Sequence, residues 1–193
     1  MSLLKSCHRI LLVSAGTKTF EYFTALLPQS EFSLELCGSA GEARRLLIET
    51  PPDILIIDTP LGDEFGIELA RSAAELPMGV MLLVKADIAD KAAYDVEDVG
   101  ALVLAKPNAR QAFYGSVRLL AALSVRLKKM ETKNKSLQEK MADIRAVNRA
   151  KWLLIDKMNM SEQDAHYFIE KRAMDARISR REVAESIIRT YDA

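Results

Sequence analysis

Five short apolar runs alternate with stretches of helical periodicity along the first 107 residues. The runs read RILLVSA from Arg9, SLELCGS from Ser33, DILIIDT from Asp53, GVMLLVKA from Gly79 and GALVLAKP from Gly100. Strands that are apolar on both sides are typical of a parallel sheet that helices cover on both faces. The pattern therefore predicts an α/β fold with a doubly wound, five-stranded parallel sheet.

After Asn108 the chain has no proline and one glycine, Gly115, so we expect only helices there. A heptad register fits the following segment, with Ser116 at a d position. The predicted seam consists of Leu120, Leu123, Leu127, Met130, Asn134, Leu137, Met141 and Ile144. A buried asparagine at an a position is satisfied by its own copy in a parallel pair, so Asn134 favours a parallel homodimer. A single helix packed on its own domain would show similar spacing.

Two capping-box patterns predict two further helices near the end of the chain. Ser161 with Asp164, and Ser179 with Glu182, have the required spacing. Together with the end of the long helix, these helices would form a small three-helix bundle. We expect three regions: a sheet domain at 1–115, a coiled-coil helix at 116–143 and the bundle at 144–193.

The charge is distributed unevenly, although the net charge is zero. Up to Val125 there are 11 basic and 16 acidic residues, and after it 16 basic and 11 acidic. A basic second half favours a polyanionic partner, and a solvated lysine-rich helix is the ordinary alternative.

The sequence predicts a cytoplasmic protein with no membrane partner. No signal-peptide pattern opens the chain, and no apolar run reaches the roughly 18 residues that span a bilayer. Cys7 and Cys37 lack metal-ligand spacing, so we expect reduced thiols, no metal and no cofactor. No nucleophile–base pair, phosphate-binding glycine loop or paired carboxylate site is apparent, so we expect no enzymatic activity and no catalytic residues.

Asp58 ends the third run and Lys106-Pro107 ends the fifth. This arrangement resembles the receiver domain of two-component response regulators over residues 8 to 125. The resemblance implies a flavodoxin-like sheet, with Asp58 at the position of the phosphoryl acceptor and Lys106 at that of the phosphate-contacting lysine. Ligands of open α/β sheets bind at the carboxyl ends of strands, where both residues are expected.

The chain departs from the receiver pattern at several positions. The two acidic residues that help to hold Mg²⁺ in that family are here Ser14 and Ala15, the hydroxyl residue after the fourth strand is Lys85, and the switch aromatic is Val103. Magnesium prefers hard oxygen ligands, usually with one or two carboxylates, and phosphoryl transfer needs the ion to offset developing charge.

We therefore hypothesise a pseudoreceiver. In it, Lys85 and Lys106 neutralise Asp58 in place of metal and phosphate, and the usual Mg-dependent phosphorylation is lost. Control would then come from a regulatory protein partner or from oligomerisation, or be absent.

From about Ile144 the chain resembles the ANTAR domain, the RNA-binding module of AmiR- and NasR-like antitermination regulators. The matching elements are Arg149-Ala150-Lys151, the Met160-Ser161 turn with Ala165, the stretch from Lys171 to Met174, and Val183-Ala184. The resemblance implies binding to paired stem-loops in nascent messenger RNA, which would stabilise an antiterminator. The candidate RNA-binding residues are Lys151, Arg172, Arg177, Arg180 and Arg181.

Trp152 stands where the ANTAR family commonly has glycine. It would pack inside a dimer or stack on an RNA base. Two other functions remain open for the whole chain. A three-helix module with a basic last helix would also suit duplex DNA, as in helix-turn-helix proteins, and the coil would suit a protein-binding scaffold.

Overall fold

The computed structural model of the protein describes residues 7–191. It contains one sheet, with the strands in the order β2-β1-β3-β4-β5 and every neighbouring pair parallel. This order is that of flavodoxin-like doubly wound sheets and confirms the predicted fold class. The strands are β1 (His8–Val13), β2 (Phe32–Cys37), β3 (Ile54–Asp58), β4 (Gly79–Lys85) and β5 (Leu102–Lys106).

Helices cover both faces of the sheet because successive strand residues point to opposite sides. Leu11 and Val13 belong to the core beneath α2, α3 and α4, whereas Ile10 and Leu12 belong to the core beneath α1 and the start of α5. The five helices are α1 (Thr17–Leu26), α2 (Ala40–Glu49), α3 (Ile67–Ala74), α4 (Ala89–Val96) and α5 (Arg110–Met158).

The start of α5 is part of the sheet domain. Phe113 is fully buried and stacks on Phe23 with ring centroids 4.2 Å apart. Leu120 is 2% exposed in the same core, and Leu123 packs against it. A side chain at Gly79 would lie 2.8 Å from the Leu120 Cβ, so helix and strand are in close contact.

This packing corrects two predictions. We assigned Leu120 and Leu123 to the dimer seam and ended the sheet domain at residue 115, but the first compact unit extends to Glu131. A helix that buries one face against its own sheet shows the same spacing of three and four residues as a coiled coil, so the pattern alone could not separate them.

The second compact unit, Thr132–Ala193, contains the end of α5, α6 (Glu162–Ala176) and α7 (Arg180–Tyr191). The three helices pack around one small apolar core, as predicted. The core residues are Ala150, Leu154, Ala165, Ile169, Ala173, Val183, Ala184 and Ile187. Residues 192–193 of the expected bundle, like 1–6 of the expected sheet domain, lie outside the described range.

Both predicted serine caps are confirmed, and the pair of Ser179 and Glu182 forms a complete capping box. The Ser161 hydroxyl accepts a hydrogen bond from the Asp164 N–H at 3.1 Å, and the Ser179 hydroxyl accepts one from the Glu182 N–H at 3.2 Å. Glu182 also accepts from the Ser179 N–H at 2.7 Å. Hydrogen bonds from Ser179 lower the pKa of the Glu182 carboxyl. Between the two helices, Arg177 closes α6 in a left-handed conformation with φ 55°.

Among residues 7–191, no helix is both long enough and apolar enough to cross a bilayer. Cys7 and Cys37 are free thiols, as predicted. Burial raises the pKa of Cys37 to about 11, which keeps that thiol protonated at neutral pH.

Candidate functional sites: the Asp58 pocket and the C-terminal basic surface

Asp58 lies at the carboxyl end of β3, and only 14% of its side chain is exposed. Lys106, at the end of β5, places its Nζ 2.5 Å from Asp58 Oδ1 and also donates to the Thr59 carbonyl at 2.8 Å. Ser14 and Thr19 donate hydroxyl hydrogen bonds to Asp58 Oδ2 at 3.0 and 2.9 Å. One ammonium and two hydroxyl groups therefore satisfy both oxygens of the carboxylate.

Lys85 does not share this role, which corrects the hypothesis that both lysines neutralise Asp58. Its side chain is exposed, and the structure of residues 7–191 gives it no ion pair with Asp58. Lys85 is paired with Lys106 between β4 and β5, so the two lysines lie at the same level of the sheet, but only Lys106 extends its ammonium to Asp58.

The donor set around Asp58 does not fit Mg²⁺. Ser14 is buried and supplies a hydroxyl, and Ala15 supplies no polar side chain. Across the described part of the chain, no three His, Cys, Asp or Glu side chains converge to hold a metal. Mg²⁺ needs near-octahedral oxygen coordination, and here Lys106 already lies against the carboxylate.

Thr19 was not predicted as a pocket residue. The sequence did indicate that Thr19 lies near the pocket. α1 follows β1 after only three residues, so its first turn must lie at the carboxyl edge of the sheet. The sequence pattern indicated this position for the helix, but it did not indicate which way the hydroxyl would point.

The second site is a basic surface on the C-terminal bundle. Lys151 from α5, Arg180 and Arg181 from α7 line one groove of about 420 Å³. We name it the α5–α7 groove. Its lining consists of Asp143, Ile144, Val147, Asn148, Lys151, His166, Ser179, Arg180 and Arg181.

Carboxylates hold each groove cation in place. Lys151 Nζ lies 3.1 Å from Glu162, and an Arg180 guanidinium nitrogen lies 3.0 Å from Glu170. Arg181 contacts Glu185 at 2.7 Å and Asp143 at 3.1 Å, and these hydrogen bonds raise the pKa of its guanidinium. Each groove cation therefore has a carboxylate partner within the chain.

The other two candidate RNA-binding residues lie outside the groove lining. Arg172 lies over the Phe168 ring, 5.8 Å from its centroid. Arg177 is exposed at the end of α6. The structure thus brings three of the five predicted residues together.

Comparisons with known proteins found relatives of the C-terminal bundle and of the sheet domain. The ANTAR domain family matches residues 135–188. The transcriptional regulatory protein PdtaR of Mycobacterium tuberculosis is 29% identical over 168 residues, covering 83% of this chain and 80% of PdtaR.

Solved structures resemble the sheet domain. A CheY-like response regulator receiver domain protein of Methanospirillum hungatei JF-1 gives a TM-score of 0.54 at 20% identity, over 66% of this chain and 99% of that one. The signal receiver domain of an HD domain-containing protein of Pseudomonas fluorescens Pf-5 gives a TM-score of 0.59 at 19% identity, over 67% of this chain and 97% of that one. At these identities the likeness establishes the fold. Residues 135–188 match the ANTAR domain family, and the sheet domain has the receiver fold.

Part of the predicted coil seam is exposed on α5. Met130 is 58% exposed, Leu137 51%, Met141 53% and Ile144 60%, and Asn134 is exposed between them. Leu127, the remaining seam residue, is partly buried. Exposed apolar side chains at this spacing remain available to a second helix.

Trp152 of the ANTAR domain is 71% exposed. Within one chain, Trp152 does not pack into the bundle core. Both uses predicted for it, packing inside a dimer and stacking on an RNA base, involve a partner molecule. The aromatic ring is therefore available for contact with a second chain or with RNA.

Proposed function

We propose that this chain is an ANTAR response regulator, a cytoplasmic, non-enzymatic antitermination protein that binds stem-loop RNA through its C-terminal bundle. The observation that carries the proposal is the groove that collects Lys151, Arg180 and Arg181 within the segment matching the ANTAR family. Likeness to a transcriptional regulatory protein over 83% of the chain supports a role in transcription.

The chemistry of the basic surface suits a hairpin. Loop bases are unstacked and accessible, and phosphates attract lysine and arginine. An RNA phosphate would replace a carboxylate as the partner of a groove cation, for example Glu170 at Arg180. Contacts between these cations and RNA phosphates release counterions, so binding should weaken as the salt concentration rises.

We also propose that the receiver domain controls this activity without phosphorylation at Asp58. The Lys106 ammonium neutralises the Asp58 carboxylate, as a bound metal ion would otherwise do. Incubation with acetyl phosphate and Mg²⁺ should add no phosphoryl mass to the intact protein. A stoichiometric added mass that Asp58→Asn abolishes would refute this part of the proposal.

The exposed seam on α5 supports a parallel homodimer, which would present two bundles to paired stem-loops. Leu137→Glu places a charge in the middle of the seam and should convert the dimer to monomer in sedimentation equilibrium. Ile48→Glu is the matched control, because Ile48 is 84% exposed on α2 and lies outside the seam. A wild-type protein that is monomeric, or a dimer that withstands Leu137→Glu, would contradict the seam.

Selection from a pool of structured RNAs tests the RNA-binding function. Purified protein is equilibrated with the pool without a phosphodonor, and the bound RNAs are sequenced. Recovered hairpins then compete with duplex DNA of the same sequence over a range of salt concentrations. Preference for the hairpin supports the proposal, preference for the duplex indicates a DNA-binding regulator, and a stable dimer that retains neither indicates a protein-binding scaffold.

A further inference from the structure

We propose that the α5–α7 groove is a nucleotide pocket that holds one unstacked base of the RNA loop, with the phosphate of that nucleotide against Arg180 and Lys151. This inference rests on the proposed RNA-binding function and assigns it a specific place. It adds Val147, Asn148 and His166 to the recognition surface.

The size of the groove fits such a ligand. At about 420 Å³, it falls within the range of about 300 to 1,000 Å³ that is usual for small-molecule pockets. Residues of α5, α6 and α7 form its walls, so a bound base would be enclosed by three helices of one unit. A simple contact between an arginine and the phosphate backbone would need no such cavity.

The floor of the groove is apolar. Val147 packs against the bundle core, and Ile144 is 60% exposed beside it. The faces of nucleobases are apolar and stack on flat or aliphatic surfaces, so covering the exposed part of Val147 with a base would remove apolar area from water. Ile144 is the last apolar residue of the seam, so in the proposed dimer it faces the partner helix and the base rests on Val147.

The polar groups lie where a base edge would meet them. Asn148 is exposed in the groove, and its amide offers both a donor and an acceptor. The His166 ring, which is half exposed, lines the opposite side on α6. Ser179 is already engaged with Glu182, so it fixes the start of α7 and leaves base recognition to Asn148 and His166.

The cations are arranged so that they do not fill the cavity. Glu162 and Glu170, the partners of Lys151 and Arg180, lie outside the groove lining, whereas Asp143 lies in the lining and pairs with Arg181. His166 and Arg180 both contact the same Glu170 oxygen, at 3.4 and 3.0 Å. An apolar floor, an amide edge and cations match the three parts of a nucleotide: base face, base edge and phosphate.

An abasic scan of the RNA tests the inference. A hairpin recovered by the selection is synthesised with each loop base removed in turn, and its affinity is measured for the full chain. Removal of the base that enters the groove should weaken wild-type binding about 10- to 100-fold. The Asn148→Ala variant should bind the unmodified hairpin more weakly than the wild-type protein does. For this variant, removal of the base that enters the groove should weaken binding by a factor at least about threefold smaller than for the wild-type protein.

Gln163→Ala is the matched control, because Gln163 is also an exposed amide of the bundle but lies outside the groove lining. It should keep the full wild-type loss at every loop position. His166→Ala repeats the test from the opposite wall of the groove. Circular dichroism and sedimentation equilibrium establish that each variant is folded and dimeric.

The outcomes are distinguishable. Tight RNA binding in which no loop position depends on Asn148 or His166 would overturn the nucleotide pocket and leave the proposed function intact. Failure of the wild-type protein to bind any hairpin would overturn the proposed function itself, and the pocket with it.

Discussion

Replacement of Lys106 with methionine removes the ammonium from a carboxylate that is largely buried. Asp58 is 14% exposed and Lys106 32% exposed in this pair. Loss of one partner from a fully buried ion pair costs roughly 3 to 5 kcal/mol. Ser14 and Thr19 still donate to Asp58 Oδ2, and water can replace the ammonium, so the free energy of unfolding of the receiver unit should fall by about 2 kcal/mol.

The assay must report on the receiver unit alone, because a chain with two units need not unfold in one step. Hydrogen exchange at the β3 and β5 amides, followed by mass spectrometry, gives the opening free energy of the sheet. Trp152, the only tryptophan of the chain, lies in the other unit and serves as an internal control. The unfolding of that second unit, monitored by Trp152 fluorescence, should not change in Lys106→Met.

Two further variants isolate the cause. Lys85→Met removes an exposed lysine from the neighbouring strand end and should change stability by less than about 0.5 kcal/mol. Asp58→Asn removes the buried charge, so Lys106→Met should cost much less in that background. Equal losses from Lys106→Met with and without the Asp58 charge would refute the reasoning.

Three other predictions concern stability. Gly79→Ala should lower the free energy of unfolding of the receiver unit by about 1 to 3 kcal/mol, because the added Cβ would lie 2.8 Å from a side chain of α5; unchanged exchange protection in β4 would contradict it. Arg177→Gly should stabilise the bundle by about 1 kcal/mol in urea unfolding followed by Trp152 fluorescence, because glycine adopts φ 55° without strain; a loss of stability would contradict it. Burial opposes the ionisation of Asp53, but hydrogen bonds from Lys128 and the Arg9 N–H outweigh it and hold the Asp53 pKa below 3.8. The stabilisation from a lowered pKa is complete above about pH 4 and is lost as pH falls through the folded-state value, so the stability difference between wild type and Asp53→Asn should shrink on acidification. A difference that does not change with pH would contradict this.

The sequence was sufficient to predict the sheet and the bundle. Apolar strands between amphipathic helices permit few arrangements other than a doubly wound sheet, and the observed strand order agrees with it. The starts of α6 and α7 were predicted because capping is a local interaction between residues three positions apart, such as Ser179 and Glu182.

The errors concerned contacts between distant residues. Leu120 had the spacing of a coil residue but packs on Gly79, 41 positions away. Lys85 and Lys106 end neighbouring strands at the same level of the sheet, and the direction of each long side chain, which the sequence does not give, decides which ammonium reaches Asp58. The α5–α7 groove was not predicted either, because it joins Asn148 to His166 and Arg180 across three helices.

The most direct test of the account compares RNA binding with and without a phosphodonor. The dissociation constant of the full chain for a selected hairpin is measured at fixed ionic strength, alone and after incubation with acetyl phosphate and Mg²⁺, and intact mass is recorded on the same samples. The account predicts equal dissociation constants and no added mass. Binding that appears only when a phosphoryl group is added at Asp58 would contradict the proposed receiver, and no binding in either condition would contradict the RNA-binding function.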